Sequence, residues 1–309
     1  MSESHIVLCP GQGAQHVGMG HAWIAQSSVA RQMLEEADRI LELPLTKLCL
    51  EGPVEELNRT DLSQPAIFAV SAASYLALHK AGSLAPLSAV AGLSLGEFTA
   101  LHLAGAFDFE TGLKLVRLRG LAMQEAAEAS PSGMVALVGA TDDQSYDLCK
   151  DVLADPAAKP GEVLVPANFN CPGQVVISGS LSACDRALSA AEKMGLRATA
   201  LKVAGAFHSP LMQPAADRLG AALDRVQWQT PRVPVVSNVD AQPHNPSDVA
   251  SIKRLLVAQL TSPVRWAASV QWLIANVKGQ YHELAPGKVL AGLMRRIDRQ
   301  VSVTTHADP

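Results

Sequence analysis

The sequence lacks most of the signals that place a chain in a class at sight. It has no excess of cations, since 25 Lys and Arg stand against 29 Asp and Glu, a formal net charge of −4. It has no Lys/Arg run either, so it carries neither the electrostatic footprint of a nucleic-acid binder nor an attraction for an anionic membrane. No apolar stretch reaches the about 18 residues a membrane-spanning helix requires. The first residues pass almost at once into the apolar run His5-Ile6-Val7-Leu8-Cys9, without the basic, apolar and small-residue segments of a signal peptide. The five cysteines (Cys9, Cys49, Cys149, Cys171 and Cys184) are odd in number and lack C-x-x-C spacing, which excludes a disulfide framework and a zinc site. A cytoplasmic protein without a metal, a membrane or a nucleic acid is the expectation. No repeats or low-complexity segments occur. What remains, at 309 residues with 48% hydrophobic and 17% charged side chains, is globular and long enough for a second folding unit beside the first.

One short stretch organises the rest. Gly92-Leu93-Ser94-Leu95-Gly96-Glu97 reads G-x-S-x-G, with an apolar strand pattern before it (Leu87 to Ala91) and helix formers after it (Glu97 to Leu103). Strand, glycine turn, serine and helix is the context in which this motif marks a nucleophile. Glycines beside the serine permit a tight turn. The serine oxygen then stands at a helix N-terminus, where free N–H groups favour an anion.

Along the chain, the first strand enters the turn Pro10-Gly11-Gln12-Gly13-Ala14-Gln15, which contains G-x-G but places its third glycine at Gly18, out of step for a dinucleotide fingerprint. Its backbone and the Gln12 amide are placed to face Ser94 from a neighbouring strand end. The region from His21 to about Leu50 has helical spacing. A helix is expected over Ala66–His79 with Pro65 in its first turn, and another over Phe109–Ala127. The clearest break is Ser130-Pro131-Ser132-Gly133. Beyond it the pattern is strand 134–139, helix 142–153, strands 163–168 and 174–178, helix 182–194 and strand 198–203. That βαββαβ order is the ferredoxin-like pattern, here about 70 residues inserted into a larger unit. The division is 1–130 with 204–309 for the large unit and 131–203 for the small one. A helix over 211–226, a strand over 233–237, a helix over 249–260 and a strand with a glycine turn around 281–288 complete the large unit.

A serine hydroxyl needs a base within hydrogen-bond reach. Among nine histidines His208 is the best placed, in the small-residue loop Gly205-Ala206-Phe207-His208-Ser209-Pro210 that returns from the inserted unit. A hydrolase triad would add an acid between serine and histidine in chain order. The candidates Asp142, Asp147 and Asp185 all fall on helices of the inserted unit, so His208 is expected to be oriented by something other than a carboxylate. Arg119, amid Leu115, Leu118 and Ala122, reads as a helix cation snorkelling to solvent or, turned inward, as a fork for a substrate carboxylate.

Seven motifs occur in a fixed order. They are Pro10-Gly11-Gln12-Gly13; Gly92 to Glu97; Arg117-Leu118-Arg119-Gly120 with Met123-Gln124; Asn168-Phe169-Asn170-Cys171-Pro172-Gly173-Gln174; Phe207-His208-Ser209; Ser237-Asn238-Val239-Asp240; and Pro286-Gly287-Lys288. Together, over nearly the whole chain to about Ile297, they resemble malonyl-CoA:acyl-carrier-protein transacylases of fatty-acid and polyketide synthesis. The resemblance implies an α/β-hydrolase-like large subdomain with a ferredoxin-like small one. It implies Ser94 as the acyl acceptor, His208 as the base, Gln12 and the N–H of Leu95 as the oxyanion hole, and Arg119 as the carboxylate clamp. It implies a main-chain carbonyl at Gln259 that orients the histidine, and Gln64, Asn170 and Asn238 near the site. Leu93 departs from the pattern, since many relatives carry histidine before the serine. Phe207 before the base is an aromatic that, in the polyketide branch, goes with malonyl over methylmalonyl. The implied partners are malonyl-CoA and an acyl carrier protein that brings its own phosphopantetheine; no resident cofactor is implied, and a monomer is the default state. An acyl-thioester hydrolase using the same serine, and a catalytically silent docking protein, are the competing readings.

Overall fold

The computed structural model describes residues 4–309. Its nine strands are β1 (His5–Cys9), β2 (Leu87–Gly92), β3 (Ser132–Val138), β4 (Leu164–Cys171), β5 (Gln174–Ser180), β6 (Arg197–Ala200), β7 (Val235–Val236), β8 (Gln280–Leu284) and β9 (Val303–His306). They form two sheets. One has the order β7-β2-β1-β8-β9 and is parallel throughout. The other, β4-β5-β3-β6, is antiparallel throughout.

The layering of the parallel sheet follows from the two-residue period of a strand. On β1, Val7 and Cys9 enter one core while Ile6 and Leu8 enter another; on β2, Val90 goes one way and Ala89 and Ala91 the other. Helices therefore cover both faces. The larger core is closed by helices that include Thr60–Lys80, Gly96–Leu103, Phe109–Ala129 and Gln213–Leu223, and the smaller by Trp266–Asn276 and Val289–Ile297. The antiparallel sheet also has two faces. Val135, Leu137 and Ile177 pack on helices Asp142–Ala154 and Leu181–Lys193. Met134 and Val176, one register step away, face a cleft shared with the parallel sheet. Two backbone bonds, Phe169 N–H to Val264 O (2.9 Å) and Val264 N–H to Ala167 O (2.8 Å), tie β4 to the chain before helix Trp266–Asn276.

Several boundaries differ from the sequence reading, each for a local reason. The region from His21 is three helices, His21–Gln26, Ser28–Leu41 and Leu45–Glu51. Ser27 caps the second by accepting from Ala30 N–H at 3.2 Å, and Pro44 ends its continuation. The helix expected from Ala66 begins at Thr60, so Pro65 lies inside it rather than in its first turn. A proline there leaves the carbonyl four residues back without its helical donor. That carbonyl, Asp61 O, accepts from the Arg117 guanidinium on the neighbouring helix instead. Residues 211–226 divide into a 3-10 turn, Pro210–Met212, and a helix, Gln213–Leu223. Strands 198–203 and 233–237 shrink to β6 and β7. Helices Trp266–Asn276 and Val289–Ile297 and strand β9 were not anticipated. Among the described residues no helix is long and apolar enough to cross a membrane.

Candidate active site

Strand β2 ends in the turn that carries Ser94. The strain of that turn sits on the serine itself, with φ of 53°, while its flanking glycines serve another purpose. A Cβ on Gly92 would lie 1.9 Å from the Gly96 carbonyl group, and one on Gly96 would lie 2.2 Å from Cys9 O. Glycine is required at both because backbone passes backbone, which is a different reason from the turn freedom expected of them. His208 also has positive φ, 58°, so among the described residues two of the four non-glycine positions in this region of backbone space are the candidate nucleophile and base.

Residues far apart in sequence converge here. Ser94 Oγ lies 2.9 Å from His208 Nε2, and His208 Nδ1 lies 2.7 Å from the main-chain oxygen of Gln259. A carbonyl only accepts, so Nδ1 carries the proton and Nε2 is left as the acceptor for the serine hydroxyl. This is the tautomer a general base requires, fixed without an acid. Burial, and then the charge of Arg119, pull the His208 pKa down from 6.5 to about 4, against the Gln259 bond, which raises it. The imidazole is consequently neutral and ready to accept at neutral pH.

Arg119 does not snorkel. It is 1% exposed, and its guanidinium faces inward. Nη1 donates to Gln64 Oε1 at 2.7 Å; Nη2 donates to Gln259 Oε1 at 2.9 Å and to Ser94 Oγ at 3.1 Å. The group lies 5.6 Å from the Phe98 ring centre. Burial lowers its pKa to about 10, partly offset by the charge of Glu97, so it keeps its proton at neutral pH. The hydrogen-bond partners of this buried cation, Gln64, Gln259 and Ser94, are all uncharged.

The Ser94 N–H is taken by Asn238 Oδ1 at 2.6 Å, and Asn238 Nδ2 is anchored on Gly92 O at 2.8 Å. Asn238 therefore braces the turn from below. The Gln12 side chain donates to Thr60 Oγ1 at 3.3 Å. Among the described residues nothing accepts from the N–H groups of Gln12 or Leu95. The cavity over Ser94 and His208 has a volume of about 460 Å³ and is walled by Gln12, Met123, Met134, Asn170 and Phe207 among others. Leu93 lines it too, with an apolar side chain where a histidine was the alternative. Asn170 lines the same cavity, and among the described residues its side chain makes no hydrogen bond to Ser94, His208, Arg119 or Gln259. Asp142 lies in a separate cavity beside Arg265.

Sequence reasoning missed Glu97 and His244. Both are buried, and Glu97 Oε1 accepts from His244 Nε2 at 2.7 Å. Glu97 Oε2 accepts from the Asn238 N–H and from Gln259 Nε2. The available signal was an acid placed among small and apolar residues directly after the nucleophile turn.

The chain is similar to known proteins over nearly its whole length. The Acyl transferase domain family matches residues 6–306. The malonyl CoA-acyl carrier protein transacylase of Escherichia coli K12 is 39% identical over 301 residues, covering 97% of this chain and 94% of that protein. The Bacillus subtilis protein of the same name is 40% identical over 98% of this chain and 93% of its own length. A solved complex of a type II polyketide-synthase acyl-carrier protein with its malonyl-transacylase superposes with a TM-score of 0.93 at 39% identity, covering all of this chain and 97% of that one.

Proposed function

The chain belongs to the Acyl transferase domain family, and on that premise we propose that it moves a malonyl group from malonyl-CoA to the thiol of an acyl carrier protein by way of an ester on Ser94. The observation that carries this reading is the buried guanidinium of Arg119, 3.1 Å from the same oxygen that His208 can deprotonate. A hydrolase of simple esters has no use for a buried cation at that place. An acyl group with a distal carboxylate does.

In the first half-reaction the Ser94 proton passes to His208 Nε2 as Oγ attacks the thioester carbon. The oxyanion faces the N–H groups of Gln12 and Leu95, each such donor contributing roughly 3 kcal/mol to the transition state. Collapse expels the coenzyme A thiolate, which takes the proton from the imidazolium. In the second half the carrier's phosphopantetheine thiol gives its proton to His208 and attacks the ester, and Ser94 leaves with that proton restored. The Gln259 carbonyl stabilises the imidazolium in both halves. Arg119 forms a bidentate pair with the malonyl carboxylate. A non-carboxylated acyl group leaves the guanidinium without an anion, the basis for preferring malonyl. Phe207 and Asn170 shape the wall beside the acyl chain, and Gln64 aligns the guanidinium. No step requires a resident cofactor.

We read the large unit, residues 1–130 and 204–309, as α/β-hydrolase-like. Its support is the parallel sheet with a serine turn at the end of β2. Residues 131–203 we read as ferredoxin-like, supported by the βαββαβ order and the strand arrangement β4-β5-β3-β6.

Incubation with malonyl-CoA is expected to add about 86 Da, the mass of a malonyl ester, at Ser94. A carrier protein added next should remove it and become loaded. Free malonate formed faster than loaded carrier would make the protein a hydrolase, and absence of any adduct would make it a silent binding protein.

A further inference from the structure

Behind the nucleophile lies a charged group that the transfer scheme does not use. Glu97 is fully buried, and its carboxylate has three partners: Oε1 accepts from His244 Nε2 at 2.7 Å, and Oε2 accepts from Asn238 N–H at 3.0 Å and from Gln259 Nε2 at 2.6 Å. Gln259 is buried as well, between two groups of opposite kind. On one side stands a carboxylate, which can only accept. On the other stands the Arg119 guanidinium, which can only donate and does so to Gln259 Oε1 at 2.9 Å. An amide has two orientations, and only one satisfies both neighbours. Turned over, it would set its NH₂ against the guanidinium and its oxygen against the carboxylate, leaving buried charges facing like partners. Glu97 is also the group whose negative charge reaches Arg119.

We propose that Glu97 determines acyl specificity as a positioning residue, by holding the Gln259 amide with its oxygen toward Arg119 and so keeping the guanidinium aimed at a donor carboxylate. The proposal rests on the transacylase reading above. Glu97 touches no substrate; it reaches the guanidinium through the Gln259 amide, whose Nε2 also donates to the main-chain oxygen of Ser94 at 3.1 Å. His208 is held by a different atom of the same residue, the main-chain oxygen of Gln259, which does not change when the side-chain amide turns. The two functions of Gln259 therefore rest on different atoms, the main-chain oxygen for His208 and the amide oxygen for Arg119. Disturbing Glu97 should harm recognition of the carboxylate far more than it harms the serine and histidine chemistry. A residue that merely supported the fold would lower both together.

The test compares loading of Ser94 by malonyl-CoA and by acetyl-CoA, each followed as the covalent ester by mass spectrometry in the full chain. Glu97→Gln keeps the shape but replaces a pure acceptor with a group that can also donate. It is expected to lower malonyl loading at least tenfold more than acetyl loading. Gln259→Met, which keeps the main-chain carbonyl and removes the amide, should narrow the malonyl-to-acetyl ratio to the same degree. The double variant should be no worse than either single one, because both act at one point. Equal loss of both donors in Glu97→Gln, or strictly additive effects in the double variant, would overturn the proposal. If Glu97→Gln does not fold, judged by circular dichroism, an unchanged ratio in Gln259→Met overturns it alone. Failure of the wild type to form a malonyl ester would sink the transacylase reading itself, which keeps the two outcomes apart.

Discussion

At the scale of single residues, the site replaces the usual acid of a serine hydrolase with a backbone oxygen and adds a cation. These two choices have opposite effects on His208. The carbonyl favours the imidazolium, whereas burial and Arg119 disfavour it, and the second pair wins, giving a pKa of about 4. A base works only when unprotonated, so the rate of Ser94 loading at low substrate concentration should rise with pH through about 4 and be level by about 6. A limb centred near 6.5 would show that the ring is more open to water than its 4% exposure indicates. Removing Arg119 leaves burial in place and takes away the second cause. In Arg119→Ala the limb for acetyl loading should therefore move upward from about 4, measured by rapid quench across pH 3.5–8. In the transfer proposed above the same variant loses two charge-assisted bonds to the malonyl carboxylate, and malonyl loading should fall by roughly 100-fold or more while the malonyl-to-acetyl preference collapses. A preserved preference would remove Arg119 from the role of clamp.

At the scale of elements, helix Thr60–Lys80 and helix Phe109–Ala129 bring Gln64 and Arg119 together, and their contact depends on a break in regular bonding. Pro65 releases the Asp61 carbonyl, and Arg117 occupies it while also pairing with the Asp61 carboxylate at 2.8 Å. Arg117→Met leaves that buried carbonyl without a donor, and urea unfolding should show a loss of about 1–3 kcal/mol. A loss below about 0.5 kcal/mol would mean that water takes over the carbonyl. This junction also shows where sequence reasoning ended. A proline is most often read as a helix start, and nothing local says that an arginine over 50 residues away fills the vacancy. The seven motifs fixed Ser94, His208 and Arg119 as candidates because each sits in a segment with its own chemical signature. The βαββαβ unit was legible to within a few residues because its alternation and turns are local. Glu97, His244 and the side chain of Gln259 were not legible, since what defines them is burial against one another across about 150 residues of chain. The helices Trp266–Asn276 and Val289–Ile297 escaped for a similar reason. They owe their form to the second face of the parallel sheet, which only the assembled β1 and β2 create.

At the scale of the whole molecule, burial lowers the pKa of histidines in two places, His208 beside Ser94 and His282 with His306 on the parallel sheet. Strands β1, β8 and β9 align His5, His282 and His306 in a chain, with His5 Nδ1 to His282 Nε2 and His282 Nδ1 to His306 Nε2 both at 3.0 Å. The middle ring uses both nitrogens, so in its neutral form it donates through one and accepts through the other, and the chain has a direction. Burial, followed by its two histidine neighbours, lowers the His282 pKa to about 4, and burial lowers that of His306 as well. The unfolded chain protonates these rings near 6.5, whereas the folded protein resists until the pH is much lower. Between these values the unfolded state binds more protons, so stability is full above about pH 6.5 and is lost as pH falls toward 4. His208 and His282 each add about 1.4 kcal/mol per pH unit to that slope, roughly 3 kcal/mol per unit together, with His306 adding to it. His208→Asn, whose amide can still donate to the Gln259 carbonyl, should reduce the slope by about 1.4 kcal/mol per pH unit and leave stability above pH 7 nearly unchanged. Urea titrations at half-unit steps from pH 7.5 to 4.5 measure both. A flat profile over that range in the wild type would mean that these rings are protonated in the folded protein, and the tautomer that makes His208 a base would fall with it.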